Sequence, residues 1–461
     1  MSALRRLTLA AVLALAPAAP VLAESLADTM VAAYRHSALL EQNRAVLRAA
    51  DEDVAQSVSA LRPVVQWVAS HSAQRPEGGT TTRSSSLTLG AQLTLFDFGR
   101  SRLAIDGAKE QVLATREALV GVEQDVLLSA AQAFFSLREA TQQVSLQQNS
   151  VEVLGRERQA AQDRFEVGEI TVTDVALADA QLAATQASLA AAQGQLEIAR
   201  ENYATVTGLR AGTLAAPPAL PSLPATLDEA RALAQRNHPA IKQTQRQAAA
   251  AEIAVAAAAA ERNPTLTGNA GIGVSRSPNQ FTGDYDTRNS SSVGIEMRQT
   301  LYSGGRLPSL HREAMAQRDQ VRSALLNTSR QVVLQVGEAW ANIDVARAQI
   351  RAIDQQISAA QQAYEGVREE ALLGARTTLD VLDAEQALLE ARANRITAES
   401  NLQLAHYQLL AAMGLLTVEN LNLGIPTYDP TQYYNAVRNA PHTSKQGESL
   451  DRVLRAIGRD N

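Results

Sequence analysis

The fold is decided by the stretch GARTTLDVLDA at residues 374–384, which has a second copy, GEITVTDVALA, at residues 168–178. The copies lie 206 residues apart, and each begins with a glycine that can end one helix. A short polar turn follows the glycine, and a threonine or aspartate can then cap the next helix. Each stretch is therefore predicted to be the tip of a hairpin of two helices.

Large apolar residues recur at every seventh position after each tip. After the first tip they are Val175, Leu182, Leu189, Leu196 and Tyr203; after the second they are Val381, Leu388, Leu402 and Leu409, interrupted by Arg395. A neighbouring seam rich in alanine allows two helices to supercoil at close range, so each hairpin is predicted to be a coiled coil. One seam alone most often marks ordinary core packing, whereas two matching hairpins indicate a duplicated chain.

Residues 1–23 have the features of a secretory signal peptide. Arg5 and Arg6 precede an apolar run, and Val21-Leu22-Ala23 supplies a cleavage site before Glu24. The run is too short and too rich in alanine for a membrane-spanning helix. We therefore expect the mature chain to begin at Glu24 and to be exported.

The composition excludes several classes of protein. The chain has no cysteine, so neither disulfides nor a lipid on an N-terminal cysteine can hold it together or anchor it. Its formal net charge is −6, and it has no block of lysine and arginine. Nucleic acid is therefore not expected as a partner.

Each half of the chain is predicted to contain a helix, a β-hairpin, a long helix and a second long helix. In repeat 1 (residues 24–211) a helical pattern ends at Pro63, and apolar residues then alternate over strands at about 64–73 and 86–96. In repeat 2 (residues 226–416) the helix ends at Pro264, and the strands fall at about 265–275 and 290–301. The tips are expected at about 167–173 and 373–378. The helix that enters the first tip should span roughly 65 to 70 residues, on the order of 100 Å.

Two segments lie outside the repeats. Residues 212–225 are rich in proline and are predicted to link them. Residues 417–461 form a polar C-terminal tail, which we expect to be loosely ordered.

Four amphipathic strands in one chain cannot close into a barrel, and lipid does not tolerate an open sheet edge. Two chains would give eight strands and a filled interior, whereas three would give twelve and leave a lumen. The residues on the inward face would be polar: Thr88, Gly90, Gln92, Thr94, Glu296 and Arg298. The sequence therefore predicts a homotrimer whose outer-membrane β-barrel, in contact with lipid, continues into an α-helical barrel. A soluble hairpin packed on the helices is the alternative explanation of the strands.

Catalytic and metal-binding patterns are absent from the sequence. The six histidines are scattered, no two of them are four residues apart, and no cysteine could complete a metal site. The chain contains no nucleophile-elbow, phosphate-loop or dinucleotide-binding motif. We therefore expect neither enzymatic activity nor a cofactor.

The chain resembles the TolC-like outer-membrane factors, trimeric channel-tunnels of Gram-negative bacteria. The resemblance covers residues 24 to about 434, and it depends on the paired repeats, on LYSGGR at 301–306 and above all on the second tip. It implies a passive exit duct in the outer membrane that extends into the periplasm. It also implies two partners: a periplasmic adaptor (membrane fusion) protein and an inner-membrane transporter, either an ABC or a proton-driven one. Both drug efflux and type I protein secretion are compatible with it.

The resemblance also implies roles for residues at the tips. Asp380 and Asp383 match the carboxylates that ring the closed entrance and favour cations. Arg376 matches the arginine of a gate latch, with acceptors at Thr173 and Asp174, whereas Ala371 stands where that latch has a tyrosine. The tip turns at Gly168 and Gly374 are expected to dock the adaptor.

Two other interpretations remain open at this point. The charged residues of the second tip could be ordinary solvated charges at a helix end. The whole chain could be a periplasmic coiled-coil scaffold without a pore.

Overall fold

A computed structural model of the protein describes residues 24–440 except 76, 79, 80, 280, 281 and 283. The expected signal peptide at residues 1–23 lies outside the described residues. The end of the C-terminal tail, residues 441–461, lies outside them as well.

The described chain contains the same order of elements twice, which confirms the predicted mainly helical fold with a small β part. Repeat 1 contains α1 (Leu26–His36), α2 (Ala38–Ser59), β1 (Val64–Gln74), β2 (Thr82–Phe96), α3 (Arg100–Glu166) and α4 (Val172–Thr207). Repeat 2 contains α5 (Leu227–Asn237), α6 (Pro239–Ala260), β3 (Thr265–Pro278), β4 (Tyr285–Arg298), α7 (Arg306–Leu372) and α8 (Thr378–Ala412). A last helix, α9, covers Pro430–Val437. Helices α3 and α7 have 67 residues each.

The helix expected before each β-hairpin is in fact two helices. In repeat 2 the break falls at His238, because Pro239 has no amide hydrogen to donate and disfavours a helical conformation of the residue before it. The equivalent break in repeat 1 falls at Ser37, whose ψ of 108° is extended.

Three strands differ in extent from the prediction, and one of them, β3, ends at Pro278 rather than near residue 275. Strand β2 begins at Thr82 rather than near residue 86, and β4 covers Tyr285–Arg298 rather than about 290–301. The extra length is polar: the Ser84 hydroxyl group bonds to that of Ser72 on β1 at 2.8 Å. Hydroxyl pairs of this kind extend the sheet where apolar alternation gives no signal.

Part of the C-terminal tail is structured, contrary to the expectation of a loosely ordered segment. The guanidinium group of Arg44 lies 5.1 Å from the centre of the Tyr428 ring. The Tyr433 hydroxyl group donates a hydrogen bond of 2.6 Å to Glu52 on α2. Residues 426–440, here called the C-terminal segment, thus use tyrosines to bind charged residues of α2, although their mean polarity suggested disorder.

The chain divides into two compact units. The first is built from residues up to Ala38, Glu123–Ala232 and Leu334–Ile425, and it contains both hairpin tips. Its core includes a cluster in which Leu154 and Ala161 of α3 pack with Val175 and Ala178 of α4 and with Leu382 of α8. The coiled-coil seam after the first tip therefore packs in the core of this unit.

The second unit is built from Leu39–Val122, Leu233–Val333 and the chain after Pro426. It contains one antiparallel sheet in the order β1-β2-β3-β4. The register places Trp67 opposite Leu89, and Leu89 opposite Ile272. Both outer strands, β1 and β4, leave one edge unpaired within the described chain.

Candidate functional site

One face of the sheet is apolar and uncovered. Register partners on neighbouring strands project to the same face, so Trp67, Leu89 and Ile272 share it with the apolar residues of β4. Their exposed fractions are high: Trp67 71%, Leu89 46%, Ile272 61%, Val293 90%, Ile295 71% and Met297 67%. An apolar patch of this extent, exposed in the chain alone, indicates contact with lipid or with another molecule.

The opposite face of the sheet is mostly polar, although Val64 and Val68 of β1 also lie on it. Ser70 and Ser86 bond through their hydroxyl groups at 2.7 Å on this face. The register places all six residues predicted to face inward on it: Thr88, Gly90, Gln92, Thr94, Glu296 and Arg298. The sheet therefore has the two-sided pattern of a barrel wall between lipid and water.

The apolar stretch of β2 has a length that suits a tilted membrane strand. It runs from Leu87 to Leu95, nine residues, and a transmembrane strand tilted by about 45° needs about 9–11 residues. Helix α3 also contains one window apolar enough to cross a membrane, with a mean hydropathy of 1.2, and 44% of that window is buried inside the protein. Much of the apolar surface of α3 is thus used in packing between helices.

The two tips are built alike. Gly168 and Gly374 have φ values of +81° and +75°, a left-handed conformation that glycine adopts without steric cost. The amide group of Glu169 donates to the carbonyl oxygen of Arg164 at 2.9 Å, and that of Ala375 donates to Glu370 at 2.9 Å. This bonding pattern ends α3 and α7 in the same way and reverses the chain over five residues.

A capping box begins the helix after each tip. The Asp380 carboxylate accepts hydrogen bonds from the Thr377 amide group at 2.9 Å and from its hydroxyl group at 2.8 Å. Asp174 accepts the same two bonds from Thr171 at 2.9 and 2.7 Å. These hydrogen bonds lower the pKa of both aspartates, so both are ionised at neutral pH.

The second predicted carboxylate, Asp383, is exposed three residues after Asp380. This spacing places both carboxylates on one side of α8. The structure thus brings together the two residues predicted to form the cation-selective ring, although one of them also caps its helix.

The predicted latch does not form within the chain. Arg376 pairs instead with Glu370 in its own tip, with its Nε 2.9 Å from a carboxylate oxygen. Thr173 is exposed, and Asp174 is occupied by its capping box. Arg376 has a closer acidic partner six residues before it, which sequence reasoning overlooked.

A cavity of about 140 Å³ lies beside Ala371, where the latch tyrosine was expected. Ala371 itself is only 5% exposed. The cavity is lined by residues of three helices, including Ala160, Ala161, Leu372, Val381 and Leu382. The small side chain at position 371 thus leaves space between the two hairpins.

A charged cleft joins the hairpins further from the tips, and sequence reasoning missed it. Arg368 of α7 pairs with Glu157 of α3 at 3.3 Å. Glu385 lies beside them, only 7% exposed, and burial with the nearby charge of Glu157 raises its pKa to about 7. The cleft has a volume of about 270 Å³. One feature of the sequence could have indicated this cleft. Glu385 lies four residues after Val381 and three before Leu388, which places a carboxylate on the apolar face of α8.

The model of the outer membrane efflux protein family matches residues 30–209 and 230–415, which are the two repeats. The chain belongs to this family. It is 33% identical to the outer membrane efflux protein BepC of Brucella suis over 91% of each chain. It is 27% identical to the outer membrane protein TolC of Vibrio cholerae, over 88% of this chain and 94% of that one.

A solved structure of CusC, described in terms of transmembrane channel formation, has the same fold. The TM-score is 0.75 at 19% identity, and the match covers 85% of this chain and 92% of that chain. The predicted family and the predicted localisation are confirmed: the protein lies in the outer membrane and extends into the periplasm. The family is one of efflux proteins and not of enzymes. Among the described residues no group of three or more histidine and acidic side chains could hold a metal ion.

Proposed function

We propose that three copies of this chain form a channel across the outer membrane, the passive exit duct of a tripartite exporter that is gated at the hairpin tips. The observation that carries the proposal is the four-stranded sheet with one apolar face, one polar face and two unpaired edges. An open edge in lipid leaves backbone amide and carbonyl groups without partners, which costs several kcal/mol for each group. The edges must therefore pair between copies.

The number of copies follows from the size of the lumen. Twelve strands from three copies enclose water, whereas eight from two copies are filled by their own side chains. The polar face carries small hydroxyl and glycine residues along much of its length, such as Ser70, Ser86 and Gly271. Such a lining lets polar cargo pass without a specific binding site.

The gate is assigned to the second tip. In a trimer, Asp380 and Asp383 would bring six carboxylates to one constriction, which favours cations. The latch from Arg376 to Thr173 and Asp174 is assigned to a contact between neighbouring copies, in which Arg376 would exchange its partner Glu370 for these acceptors.

The two tip turns form the surface that binds the adaptor protein. Around Gly168 and Gly374 they expose several apolar side chains: Val167 72%, Val172 65%, Leu372 73% and Leu373 86%. A periplasmic adaptor protein with a matching apolar end would bind here and connect the duct to an inner-membrane ABC or proton-driven transporter. Its cargo would be drugs in efflux or a protein in type I secretion.

Conductance measurements test this function. The purified protein in a planar lipid bilayer is expected to show discrete cation-selective currents, and the double variant Asp380→Asn, Asp383→Asn is expected to lose most of that selectivity. Asp163→Asn on α3 is the control, since this carboxylate is exposed and outside the second tip. Unchanged selectivity would remove the carboxylate ring from the proposal. A bilayer without current would favour the scaffold without a pore.

A further inference from the structure

The charged cleft between the two hairpins contains two polar layers that lie seven residues apart along each helix. One residue from each of α3, α7 and α8 stands in each layer: Glu157, Arg368 and Glu385 nearer the tips, and Ser150, Gln361 and Arg392 further from them. Seven residues are about two helical turns, so the layers are about 10 Å apart. The Arg392 guanidinium group donates to the side-chain carbonyl oxygen of Gln361 at 2.7 Å, as this arrangement requires.

Positive charge exceeds negative charge in this cleft, whose walls include three arginines but only two glutamates. Arg368 has a carboxylate partner at 3.3 Å. Arg392 forms no ion pair within the described part of the chain, since its partner Gln361 is a neutral amide. Arg156 pairs with Glu152 at 3.9 Å, and these side chains are 71% and 73% exposed, so that ion pair contributes little. The second layer therefore offers a positive charge to an anionic group.

Two side chains in the walls of the cleft are buried with an unpaired polar atom. Ser150 is 6% exposed and Glu385 is 7% exposed. The Ser150 hydroxyl oxygen and one carboxyl oxygen of Glu385 have no hydrogen-bond partner among the described residues. Buried polar groups are nearly always hydrogen-bonded, because leaving them unpaired costs free energy. An occupant of the cleft can supply the partner that Ser150 lacks.

The surface between the two layers is apolar. Val153 of α3, the ring of Tyr364 on α7 and Leu388 of α8 line it. The cleft has a volume of about 270 Å³, near the lower end of the roughly 300 to 1,000 Å³ of sites that bind small molecules. A small ligand with one charged group and an apolar body therefore matches both the second layer and the apolar wall.

We propose that the charged cleft binds a small amphipathic monocarboxylate. Its carboxylate group accepts charge-assisted hydrogen bonds from the Arg392 guanidinium group and a further bond from the Ser150 hydroxyl group. Its apolar body lies against Val153 and Leu388 and covers Glu385. A ligand with an ammonium group is disfavoured, because it would meet the excess of arginine. The site lies within one chain, so it does not depend on the proposed pore.

Binding of the carboxylate is linked to the proton on Glu385. The charged and titratable groups that face Glu385 in the cleft are Arg156 and Glu157 of α3, Tyr364 and Arg368 of α7, and Arg392 of α8. Burial, and then the charge of Glu157, raise the pKa of Glu385 to about 7, and an apolar anion beside it favours the protonated form further. The affinity is therefore expected to fall about tenfold between pH 6 and pH 8.

Isothermal titration calorimetry on the full-length protein in a non-ionic detergent tests the proposal. Three probes share one apolar body and differ in charge: phenylbutyrate, phenylbutanol and phenylbutylamine. At pH 6 phenylbutyrate is expected to bind once per chain and about tenfold more tightly than either of the others. Arg392→Gln should remove that preference. Arg351→Gln, at an exposed arginine of α7 outside the cleft, is the matched control and should keep it.

Glu385→Gln should show the same affinity for phenylbutyrate at pH 6 and pH 8, because glutamine does not ionise. Equal binding of the three probes, tightest binding of the amine, or an unchanged preference in Arg392→Gln would overturn the anion site. A pH dependence that persists in Glu385→Gln would overturn the link to its proton. Should Arg392→Gln fail to fold, Ser150→Ala is expected to reduce the preference severalfold, and an unchanged preference there would count against the site. No outcome requires current through a bilayer, so this site and the proposed channel can fail separately.

Discussion

The most informative single substitution is Asp51→Asn, because Asp51 is a fully buried carboxylate beneath the C-terminal segment. Its exposed fraction is 0%, and neither oxygen has a hydrogen-bond partner within the described part of the chain. Asp51 lies between Leu47 and Val54 on α2. These two residues belong to a hydrophobic cluster against which Tyr428 and Tyr434 of the C-terminal segment pack. Burial is the main cause that raises the pKa of Asp51 from 3.8 to about 6.

The effect on stability follows from this shift. The nearby charge of Glu52 raises the pKa further, and Arg116 opposes the shift without cancelling it. Between the two pKa values the folded state binds more protons than the unfolded state, so the free energy of unfolding falls as the pH rises through that window. A shift of about two units corresponds to about 3 kcal/mol lost by pH 8. Asparagine cannot ionise, so the variant should avoid that loss.

Hydrogen exchange of α9, read by mass spectrometry at matched pH, measures this effect. At pH 8 the variant is expected to exchange about tenfold to a hundredfold more slowly than the wild type, and at about pH 3, below both pKa values, the two should agree. Asp53→Asn, two residues further on and exposed, is the control and should change nothing. Equal exchange of wild type and Asp51→Asn at pH 8 would refute the reasoning, as would faster exchange in the variant.

Three further predictions concern the two helical hairpins. Ala371→Tyr should raise the thermal unfolding midpoint, with a gain of about 1 kcal/mol, because the cavity of about 140 Å³ beside Ala371 is close to the size that holds an aromatic ring; a lower midpoint would show that the ring does not fit. Glu385→Gln should flatten the fall in stability between pH 4.5 and about 7, because the buried glutamate binds its proton more tightly in the folded state; parallel pH profiles of the unfolding midpoint would contradict this. Thr377→Ala should cost about 1 kcal/mol by removing the cap of α8, seen as faster hydrogen exchange in its first turn; unchanged exchange there would show that the cap contributes little.

Local signals explain why the tips could be located from sequence. Gly374, Thr377 and Asp380 act within a few residues of one another, so their roles depend on little else in the chain. The partner of Arg376 could not be predicted from local spacing. Several acidic groups near the tip compete for this arginine, and the side-chain geometry of the tip selects Glu370. Sequence spacing alone does not rank such competitors.

The sheet could likewise be predicted from sequence only in part. Alternation identified its apolar residues, because a single face requires them at every second position. It could not give the full length of β2, where paired serines such as Ser72 and Ser84 extend the ladder without an apolar signal. The buried Asp51 and the packed α9 depend on contacts between residues far apart in sequence, and no local pattern reveals them.

The central claim is that β1 of one copy pairs with β4 of the next, and cross-linking in outer-membrane vesicles tests it most directly. The chain has no cysteine, so Val68→Cys on β1 and Ser292→Cys on β4 provide the only thiols. The bifunctional reagent must be shorter than the roughly 14 Å between outer strands of a four-stranded sheet. The proposed channel predicts a covalently linked trimer and no larger product. Chains that remain monomers, or that link only into dimers, would contradict it.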